Sequence, residues 1–163
     1  MKPLILILFL MAHLTTHAQN GKAATTHKTF SRATSITETI SAEPAVIWQI
    51  LIDAADYPRW NSTIVSLEGK IQEGEKIRLK STLDSSRTFK LKVKEMVPNQ
   101  KLVWGDGLGK RTYTLEKKGN GTQFTMHEKI GGPMFPLFAK KIPSFDQSFE
   151  QFTADLKREA EAK

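Results

Sequence analysis

Seven residues near the C-terminus, Phe135, Phe138, Ile142, Phe145, Phe149, Phe152 and Leu156, recur at spacings of 3, 4, 3, 4, 3 and 4. That is the period of one helical face. A stripe so nearly aromatic needs a broad apolar surface to lie on, and core packing against a sheet accounts for most of it. Pro143 sits inside the stripe and must kink or interrupt the helix, because it lacks the N–H and its ring clashes with the preceding turn. Ser144 and Gln147 have the spacing of a capping box, which predicts a fresh helix from Ser144.

The rest of the chain supplies that sheet. Residues Ser35–Ser41 alternate, with Ile36, Glu38 and Ile40 on one face. Glu43-Pro44 opens a helix whose apolar face is Val46, Ile47, Ile50 and Leu51, and a short turn from Asp53 is expected to end at Pro58. Turn signals at Glu73-Gly74, Asp84–Ser86, Pro98-Asn99, Asp106-Gly107 and Gly119–Gly121 then separate six strand segments. These are Thr63–Glu68, Lys76–Leu83, Arg87–Val97, Lys101–Asp106, Lys110–Lys117 and Thr122–Ile130. Short strands joined by tight turns make an antiparallel meander. The fold class expected is α+β: a curved antiparallel sheet of about six to seven strands wrapped on a long C-terminal helix, with two short helices after the first strand.

The N-terminus reads as an address. Lys2 precedes an 11-residue apolar run, Leu4–Leu14, and small residues lead to Ala18. This is the pattern of a secretory signal peptide cleaved near Ala18; the run is too short for the ~20 residues that span a bilayer. Export to a periplasmic or extracellular space is therefore expected. The organisation predicted is a signal peptide over 1–18, a flexible polar lead-in over 19–34 and one folded domain over 35–163.

Composition narrows the chemistry. With no cysteine there is no disulfide, thiolate metal site or cysteine nucleophile. The +7 net charge, from 24 Lys+Arg against 17 Asp+Glu, is spread over outward strand positions and does not point to nucleic acid. Lys90, Lys92 and Lys94 form a local stripe on one outer strand face, either plain solvated surface or a transient contact with an anionic membrane surface. No Gly-rich phosphate loop, HExxH or supported nucleophile triad is present, and His127 is predicted to point outward. No cofactor or metal is implied, and a monomer is expected.

Strand parity selects the inward side chains. Phe124, Met126, Glu128 and Ile130 share a face, as do Arg111, Tyr113 and Leu115, then Leu102 and Trp104, then Phe89, Leu91 and Val93. If Gly119-Asn120 and Gly107-Leu108 form tight turns, Arg111 lies opposite Glu128 and Trp104 opposite Arg111. The expected row is Val93, Trp104, Arg111, Glu128, turned toward the Phe-rich helix. Its charged pair is the most informative feature of the chain, because buried charges are costly unless paired.

Several segments together resemble the START-like superfamily, also called SRPBCC or helix-grip. They are Ile40–Trp48 followed by Asp53, Tyr57-Pro-Arg-Trp60-Asn61, Val97-Pro98 through Trp104, Gly119–Thr122 leading into Phe124–Glu128, and Gly132-Pro133 through Arg158. The last of these is similar to the branch of polyketide cyclases, dehydrases and lipid transport proteins. The resemblance covers about residues 35–160 and implies a sheet gripping a helix around a cavity for apolar ligands.

On that basis the expected function is non-covalent binding of a hydrophobic or amphipathic small molecule such as a lipid. The cavity would be lined by Trp60, Phe89, Trp104, Tyr113, Met126, Phe138, Phe145 and Phe149. The Arg111–Glu128 pair would be either an anchor for a polar or anionic head or a wet structural pair at the rim. The alternative is a polyketide cyclase- or dehydratase-like enzyme using the same cavity. Some members activate a cytosolic chaperone, a partner that an exported chain would not meet.

Overall fold

The computed structural model describes residues 21–163; the leader expected over 1–18 lies outside the described residues. Eight strands form one antiparallel sheet: β1 (Ala24–Lys28), β2 (Ser31–Ile40), β3 (Ile64–Glu68), β4 (Lys76–Ser81), β5 (Asp84–Val97), β6 (Lys101–Gly105), β7 (Gly109–Lys118) and β8 (Gly121–Gly131). Their order is β1-β2-β8-β7-β6-β5-β4-β3, so β3 to β8 run as the expected meander and β2 closes onto β8. Between β2 and β3 lie α1 (Pro44–Ile52), a 3-10 turn (Ala54–Asp56) and α2 (Tyr57–Trp60). After β8 come α3 (Phe135–Phe138), a second 3-10 turn (Ala139–Lys141) and α4 (Asp146–Glu161), which lies across the sheet against β2. The architecture is the α+β helix-grip arrangement, with eight strands rather than six or seven.

The additional strand corrects the N-terminal boundary. Residues 24–28 and 31–34 are not a flexible lead-in: β1 pairs with β2 from Ala24↔Ser35 to Lys28↔Ser31. The segment gave no apolar period because the inward positions of β2 are Arg32, Thr34, Ile36, Glu38 and Ile40, all buried yet mostly polar. Two further differences follow from proline and capping chemistry. Pro58 does not end the second helix but stands in its first turn, where no N–H is needed. The last helix starts at Asp146, with Ser144 Oγ accepting from the Asp146 N–H, so the Ser144–Gln147 box does not form.

The turns set the register that parity required. Gly119 opens the β7–β8 hairpin with φ 54°, a positive value glycine adopts without strain, and Lys118 pairs with Gly121. At the β6–β7 turn the Asp106 carboxylate accepts from the N–H groups of Leu108 and Gly109, both at 2.7 Å. A bulge in β5 between Val93 and Glu95 breaks the alternation, and Met96 then packs against the core.

Half of the concave face is filled by rings. Trp60, Tyr57, Trp104 and Tyr113 meet Phe152 of α4 or one another at centroid distances of 4.9–6.5 Å. Asp155, one turn on, is buried and ties α4 to the α2–β3 junction. It accepts from the N–H and Oγ of Ser62 at 2.8 and 2.7 Å, from Gln151 at 3.1 Å and from Arg158 at 2.7 Å. Burial raises its pKa, but these bonds outweigh burial and hold it below the ordinary 3.8.

Replacing this carboxylate strands the Ser62 donors, so Asp155→Ala should lower unfolding stability by roughly 2–4 kcal/mol in urea titrations. The Asp155 contribution is present above pH 3.8 and disappears as pH falls through the lower folded-state value, so wild type and variant should converge in acid.

Candidate functional site

The row anticipated from parity exists. Val93 pairs with Trp104, Trp104 with Arg111 and Arg111 with Glu128. It continues through Glu128↔Thr34 and Thr34↔Thr25 to the edge of the sheet. Beside it, at the end of the sheet where the aromatic filling stops, a cavity of about 240 Å³ opens between the sheet and the segment preceding α4.

Sheet residues form the cavity floor: Leu79, Phe89, Leu91, Trp104 and Ile130, with Arg111 and Glu128 set among them. Phe138, Lys141, Ile142, Pro143 and Phe145 form its roof, with Ser148 of α4 at the back. Its exposed members Leu83, Arg87 and Leu108 mark the mouth, at the β4–β5 and β6–β7 turns.

Arg111 and Glu128 are only 15% and 14% exposed. Nε and Nη2 of Arg111 both converge on Glu128 Oε2, a side-on pair through a single carboxylate oxygen. The guanidinium also lies over the Phe149 ring, 5.1 Å from its centroid. Burial alone would lower the Arg111 pKa; the Glu128 carboxylate and the nearby Tyr113 overcome it and raise the value above the ordinary one. Arg111 therefore stays charged and cannot serve as a proton donor.

Tyr113 is fully buried, and its hydroxyl has no hydrogen-bond partner of ordinary geometry among the described residues. Burial pushes its pKa up to about 12, against the lowering effect of the Arg111 charge.

The roof is irregular backbone and needs its own support, which comes from Arg32. Its guanidinium donates to the carbonyls of Ile142 and Pro143 at 3.1 and 2.7 Å and stacks 4.8 Å from the Phe145 ring centroid. Burial lowers its pKa, with Glu128 and Asp146 acting in the opposite sense. Asp146 in turn accepts from Thr25 Oγ1, which is hydrogen-bonded to Thr34 at 2.7 Å.

Six of the ten residues expected at the site therefore line the cavity: Phe89, Trp104, Arg111, Glu128, Phe138 and Phe145. Trp60, Tyr113, Met126 and Phe149 do not; they are buried in the core behind its wall. Parity placed them on the inward face correctly, but the inward face is only partly cavity, because ring packing fills the remainder. The roof residues Lys141–Pro143, and Arg32 above them, were missed. An irregular segment has no period, and Arg32 lies in what was read as a lead-in. Among the described residues, no group of three or more His, Cys, Asp or Glu is arranged to hold a metal ion.

The profile of the family described as "Activator of Hsp90 ATPase homolog 1-like protein" matches residues 41–161. The chain belongs to this family. The match supports the helix-grip superfamily expected from the sequence, within which the segment Gly132-Pro133 through Arg158 resembles the polyketide cyclase and lipid transport branch.

Solved structures with the same fold include a protein from Rhodobacter sphaeroides (TM-score 0.65, 18% identity, 87% of this chain and 99% of that one). Protein MLL2253 from Mesorhizobium loti is similar (0.64, 18%, 81% and 98%). So is a START superfamily protein from Mycobacterium smegmatis (0.58, 18%, 80% and 97%). No curated protein matches the sequence significantly. At these identities the likeness concerns the fold, within which ligand binding in the cavity is a known use and specific activities differ.

Two measurements probe the electrostatics of this region. Removing one partner of the pair, as in Glu128→Gln, should cost roughly 3 kcal/mol, whereas Arg111→Met combined with Glu128→Leu should cost less than either single change. His127 faces outward from β8 as expected; burial and the neighbouring Lys110 and Lys129 hold its pKa below the ordinary 6.5, with Glu128 opposing. The fold therefore favours neutral His127. Stability should be full above pH 6.5 and decline as pH drops below it, and His127→Gln should flatten that part of the stability–pH curve.

Proposed function

We propose that the protein binds a compact amphipathic small molecule, non-covalently, in the cavity between its sheet and the Phe138–Phe145 roof. The observation that carries this reading is a buried charged pair set among apolar side chains in the cavity floor, the other charged lining residues being Asp84, Arg87, Asp106 and Lys141. Apolar rings and aliphatic chains are available for the body of a ligand, and a donor and an acceptor lie side by side for its head.

The geometry refines the head group. Both Arg111 nitrogens that bond Glu128 converge on its Oε2. The charge of Arg111 is already balanced by Glu128, so a bare carboxylate would gain little at Arg111 and be repelled by Glu128. A neutral group that both accepts and donates, such as a carboxamide, a lactam or an undissociated acid, suits the pair better.

Size refines the body. At about 240 Å³ the cavity falls below the roughly 300–1,000 Å³ of sites for drug-sized molecules. A two-chain lipid does not fit whole, although a single tail can leave through the mouth. The cyclase- or dehydratase-like alternative needs a proton-transfer group on the wall; Arg111 is held charged, Glu128 is engaged by Arg111, and Tyr113 lies behind the wall. The family name refers to activation of a chaperone ATPase, and a protein partner of that kind becomes the leading reading if the cavity proves empty.

The test uses the chain from Gln19, which contains the whole described core. Wild-type protein should bind an apolar naphthalene probe, and 2-naphthamide should displace it at lower concentration than 2-naphthoate at neutral pH. Ser148→Phe should abolish binding by placing a ring in the cavity while leaving the melting temperature unchanged. Absence of probe binding, or binding unaffected by Ser148→Phe, would refute a ligand cavity; stronger displacement by naphthoate would restore the anion-anchor reading.

A further inference from the structure

The most exposed large apolar side chains at the cavity end of the molecule are Phe30 (58% exposed), Leu108 (51%), Met134 (61%) and Leu137 (72%). They come from three separate segments, the β1–β2 turn, the β6–β7 turn and the start of the chain after β8. Backbone hydrogen bonds bring these together: the Gly131 N–H donates to the Leu108 carbonyl and the Gly132 N–H to the Phe30 carbonyl, both at 3.0 Å. Met134 and Leu137 follow directly. The sheet end is thus tipped with apolar groups that cover nothing in this chain, and exposed apolar clusters of this kind mark interaction sites.

The charges around the tips decide what they meet. Lys94, Lys110 and Lys129 line a groove shared with Phe30 and Leu108, and Lys140 and Lys141 follow Leu137; all five are exposed. Besides Glu128, paired with Arg111 inside the cavity, the acidic groups lining this end are Asp84 and Asp106. The Asp106 carboxylate is engaged by two backbone N–H groups of its own turn, and Asp84 accepts from Ser86.

We propose that this end of the protein docks on an anionic lipid surface, with Phe30, Leu108, Met134 and Leu137 entering the headgroup boundary and the lysines meeting the lipid charge. Apolar groups at the level of the acyl boundary, combined with basic groups, are the combination interfacial binding needs. Leu108 belongs both to the tips and to the cavity mouth, so docking holds the mouth against the lipid. The site differs from the outer-face stripe of Lys90, Lys92 and Lys94, of which only Lys94 lies in the groove, and the proposal stands whether or not the cavity binds a ligand.

The experiment is co-sedimentation of the chain from Gln19, which lacks the N-terminal apolar run that would itself enter lipid. It compares vesicles of phosphatidylcholine with vesicles containing phosphatidylglycerol. Retention is expected on the anionic vesicles and not on the neutral ones, weakening as salt is raised. Met134→Ser with Leu137→Ser should weaken it on the order of tenfold or more at unchanged melting temperature, and Lys140→Gln about fivefold. No retention on anionic vesicles, equal retention on neutral ones, or full retention by the double serine variant would each overturn the proposal. So would sedimentation velocity showing a dimer that the serine variant dissociates while vesicle binding persists, since the tips would then serve a second copy of the chain.

Discussion

The break at Pro143 is the constraint on which the rest of the concave face depends. Had the Phe stripe continued as one helix, it would have run along the whole sheet and filled it with rings. Proline prevents this, so the regular helix begins only at Asp146 and the stripe before it is carried by a four-residue helix, a 3-10 turn and irregular chain. Phe149, Phe152 and Leu156 then pack as helix-on-sheet core, while Phe138, Ile142 and Phe145 arch over the sheet without filling it. An irregular roof brings a second requirement, because its carbonyls lack helical partners and must be satisfied elsewhere. Arg32 meets that need from β2, which explains why a buried arginine occupies an inward strand position without a carboxylate bonded to it.

Arg32 and Arg111 would together be a severe charge load for a half-enclosed space. They are matched by Glu128, bonded directly to Arg111, and by Asp146, which reaches the sheet through Thr25 and Thr34. The formal charges of the four groups cancel. This balance matters more than the strength of any one pair, since buried ion pairs return little net stability but a lone buried charge is costly. It also argues against reading Arg111 as a free cation waiting for an anion.

Much of this was legible in the sequence because strands obey a strict two-residue period. Turn chemistry at Gly119 and Asp106 fixed the hairpins, and the Val93–Trp104–Arg111–Glu128 row followed from counting. Where the period failed, so did the reading. The β1–β2 hairpin was missed because the inward positions at that end of β2 are Arg32 and Thr34, which are satisfied by hydrogen bonds rather than by apolar contact. The roof was legible only in part: the stripe points to Phe138 and Phe145, but the irregular backbone around Lys141 and Pro143 has no period from which its place over the cavity follows. The distinction between cavity wall and core behind it was out of reach for a different reason. Parity says which face a side chain occupies, but only three-dimensional packing says that Trp60 and Phe152 fill the space in front of Tyr113 and not the space in front of Arg111.

The row across the sheet also implies a direction for whatever enters. From the β1 edge inward it runs Thr25, Thr34, Glu128, Arg111, Trp104, Val93, from hydroxyls through charges to apolar side chains. The floor beside Arg111 and Trp104 continues toward Phe89, Leu91 and Leu79 with no further charge until the mouth. On the reading proposed above, this gradient favours one orientation for a molecule with one polar end: head toward β8, body across β6 and β5. Reversal would place an apolar body against Glu128, at a desolvation cost, and its polar head near Arg87, whose guanidinium lies 4.6 Å from the Phe89 ring centroid at the exposed mouth. The order of the strands carries this preference, since a meander that brings β8 beside β7 places the charged positions between the hydroxyl and the apolar ends of the row.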